Sequence, residues 1–301
     1  MASASVTSPE VSNRWLKADA GEFRAKFNRA SFQITHLLSS HPLFQLTELM
    51  GLAKRTSETR PGHFYYDAGQ VRVNQRWDEI PKSGFSVDEV LRRIEECGAW
   101  IVLKRAQEDP AYRVLLDHGL AELAELTGRD LKPLIKQKDI IIFITSPKRI
   151  TTYHMDRECN WILQIHGTKT LHVFDQKDRE VLPEAEIERF WAVDNNAPVY
   201  KPELQHLAIS YKLAPGVGVH VPVNAPHWVE NDDNVSVTLS VNFQFRDSLR
   251  ANVYRANYFL RRLGFKPSPP GAGTIRDATK NAVMAGGVRL RRLLQRESCP
   301  W

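Results

Sequence analysis

The sequence predicts a mainly β protein, a double-sheet β-barrel flanked by helices at its two ends. Three observations carry this prediction. From Lys138 onward, short apolar or alternating runs recur with turn residues between them, roughly every 6 to 12 positions. Helical spacing dominates only the two flanks, residues 14–137 and 246–301. The last run before the second flank alternates: Val235, Val237, Leu239, Val241, Phe243 and Phe245 share one face, and Ser236, Thr238, Ser240, Asn242 and Gln244 the other. Such a polar face is either solvated or lines the wet interior of a ligand-holding barrel.

The chain has 301 residues, 42% of them hydrophobic, enough to bury a full core. It has no run of about 18 apolar residues, so no membrane span is expected. Residues 1–13 lack the apolar centre of a secretory signal and read as a disordered leader. Cys97, Cys159 and Cys299 are too scattered for a disulfide framework or a zinc cluster, which fits a reducing cytoplasm. The net charge of +6 is uneven: twelve Lys/Arg against three Asp/Glu give residues 246–301 a balance of +9, which leaves −3 on residues 1–245.

Taken in order, residues 14–55 read as two helices, with Leu43, Phe44, Leu46, Leu49 and Met50 as an inward stripe. Residues 56–84 read as irregular, broken by Pro61-Gly62 and Pro81, with Tyr65 and Tyr66 within reach of a site. Ser86, with Glu89 three residues on, starts a capped helix. A short buried strand follows at 99–103, then a helix from Asp109-Pro110 to Gly128 on which His118 reads as a satisfied or solvent-facing residue. The barrel core is expected over 138–245. Within it, NWILQIHG places Asn160, Ile162, Gln164 and His166 on one face and Trp161, Leu163 and Ile165 on the other, before a turn at Gly167. A charged insertion, 175–205, carries Trp191, Asp194, Glu184, Glu186 and Glu188; it reads as an exposed loop or as the rim of a mouth that favours a basic substrate. In the tail, residues 247–265 form an amphipathic helix with Leu249, Val253, Tyr254, Tyr258 and Leu260 or Leu263 to one side. A Pro/Gly linker and a second helix follow. These helices pack on the barrel or on a second subunit, stay solvated, or offer Arg289, Arg291, Arg292 and Arg296 to a polyanion.

The chemistry centres on Thr151–Lys169. His154 and Asp156 sit two apart, so on a strand both side chains leave the same face. With a second imidazole they make the 2-His-1-carboxylate triad that holds Fe(II) and leaves positions open. The second imidazole comes from His166, His172, His206, His220 or His227. His227 stands out, because Pro215-Gly216 and Pro222 precede it and it opens a strand. His220 is the main competitor and His166 a lesser one.

This pattern resembles the JmjC/cupin-like Fe(II)- and 2-oxoglutarate-dependent oxygenases, most closely their hydroxylase branch, over roughly Asp139 to Phe245. Thr151 stands three residues before His154, Asn160 six after it and Lys169 fifteen after it, and Asn242 follows His227 by fifteen, the offsets that family uses. The resemblance implies a double-stranded β-helix, the jelly-roll or cupin-like JmjC barrel. It implies Fe(II) on His154, Asp156 and His227. It implies 2-oxoglutarate held at its distal carboxylate by Lys169 and Thr151 and oriented by Asn160 and Asn242. The activity implied is a dioxygenase that hydroxylates a C–H bond of a protein, peptide or small molecule, with demethylation as the same chemistry on an N-methyl group. The partners implied are 2-oxoglutarate, O₂ and the substrate, with a homodimer through the C-terminal helices. The other class of reading is a catalytically silent cupin-like binding or regulatory module, associated with nucleic acid through its basic tail. No DNA-reading motif supports that association, and the body of the chain is acidic in balance. Two departures stand out. Val217 takes the place where the family often has Asp, and the upstream contact for 2-oxoglutarate is unplaced among Trp100, Tyr65 and Tyr66.

Overall fold

The structure is a computed structural model that describes residues 14–80, 84–246 and 249–297, with the side chains of the last helix described to residue 287. The expected leader, Pro81, Cys299 and the side chains of Arg289, Arg291, Arg292 and Arg296 lie outside the described residues. In chain order the elements are β1 (Leu16–Lys17), α1 (Ala20–Lys26), β2 (Phe32–His36), α2 (Leu46–Thr59), β3 (Phe64–Asp67), α3 (Val87–Arg92), β4 (Trp100–Leu103) and α4 (Pro110–Thr127). The barrel strands follow: β5 (Ile135–Thr145), β6 (Ile150–His154), β7 (Cys159–His166) and β8 (Lys169–Val173), then α5 (Glu184–Ala192), β9 (Ile209–Leu213), β10 (Val217–Val221), β11 (His227–Asn231) and β12 (Ser236–Phe245). Helices α6 (Leu249–Arg262) and α7 (Thr274–Glu297) close the chain.

Among the described residues the strands form two antiparallel sheets. The larger has the order β1-β2-β10-β7-β12-β5-β4-β3, the smaller β6-β11-β8-β9. Alternation along β7 and β12 serves two purposes. Trp161, Leu163 and Ile165, with Val237, Leu239, Val241 and Phe243, face outward and pack under Phe23 and Phe27 of α1, Leu49 and Leu52 of α2, and Leu116 and Leu123 of α4. Each such buried side chain contributes roughly 1.5–3 kcal/mol of transfer free energy. Asn160 of β7 and Thr238, Ser240, Asn242 and Gln244 of β12 turn inward, whereas His166 at the end of β7 is exposed. Barrel interior, not solvent, is the fate of the β12 polar face.

The flank differs from expectation at several points. Residues 14–55 contain strands as well as helices: β2 alternates buried and exposed residues because it pairs with β10, Phe32 opposite His220 and Thr35 opposite Val217. The period-2 signal of five residues is short and lies inside a longer stretch of helix-like spacing, so only the sheet edge decides it. Residues 64–67 form β3, which extends the large sheet past β4. Phe44 and Leu49 are buried and Leu43 and Met50 partly so, but Leu46 is exposed. The α3 capping box between Ser86 and Glu89 and the αL Gly128 at the end of α4 stand as the sequence indicates. His118 pairs with the buried Glu122 at 2.8 Å.

Helix α6 buries Ala251, Asn252, Val253, Tyr254, Ala256 and Asn257, while Leu249 and Leu263 are exposed. The stripe shifts because α6 contacts both α5 and α7. Its Arg261 binds the buried Glu188 of α5 with two hydrogen bonds, at 2.6 and 2.8 Å. The β5–β6 turn is pinned in a comparable way. Buried Arg149 pairs with Asp67 and donates to the carbonyls of Gly69 and Gly98 at 2.8 and 2.7 Å, so this buried charge is both paired and hydrogen-bonded. The turn before β8 requires Gly167, whose φ is +66°; a Cβ there would stand 2.2 Å from the Val235 carbonyl oxygen.

Candidate active site

His154 ends β6 directly opposite His227, the first residue of β11. The next matched pair is Thr151 with Val229, so three steps on β6 are spanned by two on β11. That bulge explains how Thr151 and His154, three apart, both line one cavity, which an unbroken strand would forbid. Asp156 lies beyond the strand, so loop contacts rather than strand geometry aim it. Asn224 N–H donates to its backbone oxygen at 3.0 Å and Asn160 Nδ2 donates to its carboxylate at 2.5 Å.

The three side chains converge. One ligand atom from each lies within 4.8 Å of the others, and the His154 and His227 rings are 4.2 Å apart. His227 Nε2 stands 3.7 Å from Asp156 Oδ2. Each imidazole is tied from behind: His154 Nδ1 to the Thr152 carbonyl at 2.6 Å, and His227 Nδ1 to the Ala225 carbonyl at 2.9 Å. A carbonyl only accepts, so both Nδ1 atoms carry the proton and both Nε2 lone pairs remain for a metal. Burial, then the neighbouring His154, lowers His227 to about 4, which keeps it neutral near pH 7. Two imidazole Nε2 atoms and a carboxylate fit Fe(II) as a facial donor set.

Beside the triad lies a cavity of about 360 Å³. Its large-sheet wall is built from rows of side chains across β5, β12 and β7, with Asp139, Asn242 and Asn160 in register. Next to it Gln244 stands opposite Gln137 and donates at 2.5 Å to Glu158, the residue before β7. Asn160 is buried, and its Oδ1 has no hydrogen-bond partner among the described residues. Burial pushes the carboxyls of both Asp139 and Glu158 upward.

Lys169 opens β8 and also lines the cavity. It is 5% exposed, and no acceptor or carboxylate among the described residues reaches its ammonium group. Burial alone lowers it from its usual 10.5 to about 7. A solvated turn lysine would show neither feature. A buried cation without a counter-charge is costly, and the cost is repaid when an anion enters.

The structure thus brings together all seven residues singled out in the sequence: Thr151, His154, Asp156, Asn160, Lys169, His227 and Asn242 all line this cavity. His220 does not. It is fully buried in the outer core, stacked on Trp161 at 4.4 Å. Its Nε2 accepts from Asn28 N–H at 2.9 Å, and its Nδ1 donates to the Asn160 carbonyl at 3.1 Å, so no lone pair is left. His166 is exposed, His172 stacks on Trp228, and His206 bonds the Glu203 carbonyl.

The 175–205 insertion does not supply the cavity wall. Glu188 is spent on Arg261, Asp194 on Arg76 and Glu184 on Arg179, and neither Glu186 nor Trp191 lines the cavity. The wall residues that the sequence left open come instead from β3, β4 and β5. Tyr65 meets Trp100 edge-on at 5.8 Å, and Trp100 stacks on Phe143. Tyr66 points elsewhere and donates to the Phe85 carbonyl at 2.7 Å. The signal for Tyr65 was its place in a strand that only β4 pairing reveals.

Comparison with solved structures finds the same fold in YcfD of Escherichia coli. One X-ray structure of YcfD aligns with a TM-score of 0.50 at 16% identity, over 91% of this chain and 68% of that one. Another, described as the ribosomal oxygenase YcfD, aligns at 0.49 and 17% identity, over 91% and 67%. A cupin superfamily protein from Desulfitobacterium hafniense covers 36% of this chain and 69% of its own, at 11% identity and a TM-score of 0.24. No family model and no curated protein matches the sequence. At these identities the likeness, carried by the alignment at 0.50, is one of fold alone: two antiparallel sheets with helical flanks.

Proposed function

We propose, on that barrel fold and the site built into it, that this chain is an Fe(II)- and 2-oxoglutarate-dependent dioxygenase that hydroxylates a C–H bond of a protein, peptide or small molecule. One observation carries the reading: a ligand-ready His154/Asp156/His227 set shares a cavity with a buried lysine that has no counter-charge. A binding module has no need of either feature. In this reading His154 Nε2, His227 Nε2 and an Asp156 oxygen hold the iron. Lys169 and Thr151 take the distal carboxylate of 2-oxoglutarate, and Asn160 and Asn242 orient its keto-acid end. Of the three aromatic residues considered for the upstream contact, Tyr65 and Trp100 line the cavity, and Tyr65, whose hydroxyl lies 3.4 Å from Asp67 Oδ2, takes that role. When bound, iron would bring O₂ and 2-oxoglutarate together, so that one oxygen atom ends in the succinate left after loss of CO₂ and the other in the substrate C–H bond. The chain's share is to fix the ligands, bind the dicarboxylate and keep water away with Trp100, Phe143, Ile162 and Val229.

The test needs no substrate. Anaerobic Fe(II) followed by 2-oxoglutarate is expected to give a visible charge-transfer absorption in the wild-type protein. A protein that retains no iron and shows no such band would defeat the reading.

The same proposal places the protein in the reducing cytoplasm, with which the free thiols of Cys97 and Cys159 accord. It also includes self-association through α6 and α7, supported by exposed Phe259, Leu263, Phe265, Ile275 and Val283 on and between these helices. Equilibrium sedimentation is expected to give twice the 34.4 kDa chain mass, falling to one chain in the double variant Leu263→Glu/Ile275→Glu. A wild-type mass of one chain at tens of micromolar would remove the dimer from the proposal.

A further inference from the structure

We infer that Trp191, outside the cavity, is a positioning residue for the metal ligands, and that its indole N–H acts through Asn224. This rests on the metal reading above. The need for such a brace comes from the fold itself. β6 ends at His154, so Asp156 is aimed by a loop, and His227 follows a second loop, residues 222–226.

Trp191, on α5, touches both loops. Its Nε1 donates to Asn224 Oδ1 at 3.0 Å, and the backbone N–H of Asn224 donates to the Asp156 carbonyl at 3.0 Å. On its ring lies the guanidinium of Arg157, the residue after Asp156, 5.4 Å from the centroid. Arg157 is held further by Phe190, whose ring it covers at 4.8 Å and whose carbonyl it meets at 2.6 Å. Asn224 sits at φ +64°, a left-handed conformation that its short amide tolerates and the loop requires.

Trp191 is itself clamped from the C-terminal helices. Arg255 of α6 lies 5.8 Å from its ring centroid and donates to its carbonyl at 3.1 Å. Arg255 also binds Asn252, which in turn bonds Asn281 of α7 at 2.7 Å. A continuous path of contacts therefore runs from the C-terminal helices through one indole to both ligand-bearing loops. Contacts of this kind fix ligand orientation, and their loss commonly weakens metal binding by about tenfold to a hundredfold.

The test reads Co(II) affinity of the full chain by visible absorption, with neither substrate nor turnover. Trp191→Phe keeps an aromatic ring for both guanidinium groups while removing the N–H together with the second ring of the indole. Asn224→Gly keeps the left-handed backbone and removes only the amide. Each is expected to weaken Co(II) binding by about tenfold or more. Their double variant should be no weaker than the weaker single, because both delete the same contact. Co(II) affinity within about twofold of wild type in the two single variants, or losses that multiply in the double, would overturn the inference. If Trp191→Phe fails to fold, Asn224→Gly decides alone by the same criterion. A wild-type protein that binds no Co(II) sinks the metal reading and this inference together, whereas normal binding in wild type and variants sinks this inference only.

Discussion

His227→Ala is expected to abolish iron uptake and iron-dependent 2-oxoglutarate turnover while the protein stays folded; His154→Ala and Asp156→Ala are expected to do the same. Each residue presents its donor atom to the same point, and two remaining ligands on a site open by design hold Fe(II) poorly. The fold survives because His227 lines the cavity instead of packing in the outer core, and its ring nitrogen bonds only the Ala225 carbonyl two residues away. His220→Ala is the informative contrast. That ring is stacked among Phe27, Phe32 and Trp161 and bonds at both nitrogens, so truncation leaves a void and two unsatisfied backbone groups. A stability loss of about 2–4 kcal/mol is expected, with a normal iron content per folded molecule. Metal analysis together with denaturant unfolding separates the cases. Iron retained in His227→Ala and lost in His220→Ala would move the ligand assignment to β10.

Lys169→Met is expected to weaken 2-oxoglutarate binding by at least about thirtyfold, since removing one partner of a buried charge pair costs about 2 kcal/mol or more. Iron binding should be nearly unchanged. The pH dependence follows from the lowered Lys169 value of about 7 against its usual 10.5. The dicarboxylate selects the charged amine, so wild-type affinity is expected to fall as pH rises above about 7, by up to tenfold per unit, whereas Lys169→Met binds weakly with no such slope. Stability of the ligand-free protein has the opposite slope. Between about 7 and 10.5 the unfolded chain holds the proton and the folded chain does not, so stability rises with pH across that window. Below about pH 7 both states are charged and the folded state bears the full burial cost. Lys169→Met, which removes that cost, should therefore be more heat-stable than wild type without ligand near neutral pH. Calorimetric titration with 2-oxoglutarate at several pH values, with thermal melts beside it, checks both slopes. Equal 2-oxoglutarate affinity in the two proteins would remove Lys169 from the cosubstrate site.

The sequence by itself determined the two faces of the barrel strands. Alternation in β7 and β12 fixes which side chains face inward, because the side-chain period of a strand is two whatever it pairs with. Of the seven candidate site residues, the His154–Asp156 pair was legible from spacing and His227 from the turn residues before it, whereas Thr151, Asn160, Lys169 and Asn242 were named by the resemblance of their offsets to those of a known family. Tertiary structure alone decided the rest. Strand β3 and the short β1 and β2 exist because neighbouring strand edges offer hydrogen bonds, a gain invisible to a window of five residues. Thr151 joins the site through a register shift between two strands that lie far apart in sequence. Glu184, Glu188 and Asp194 of the 175–205 insertion turned out to be bound to arginines, and Trp191 to Asn224, because partners distant in the chain set where a long side chain spends its charge or its ring. Periodicity and spacing are carried by the chain; pairing across it depends on which surfaces meet, and only the folded structure brings them into contact.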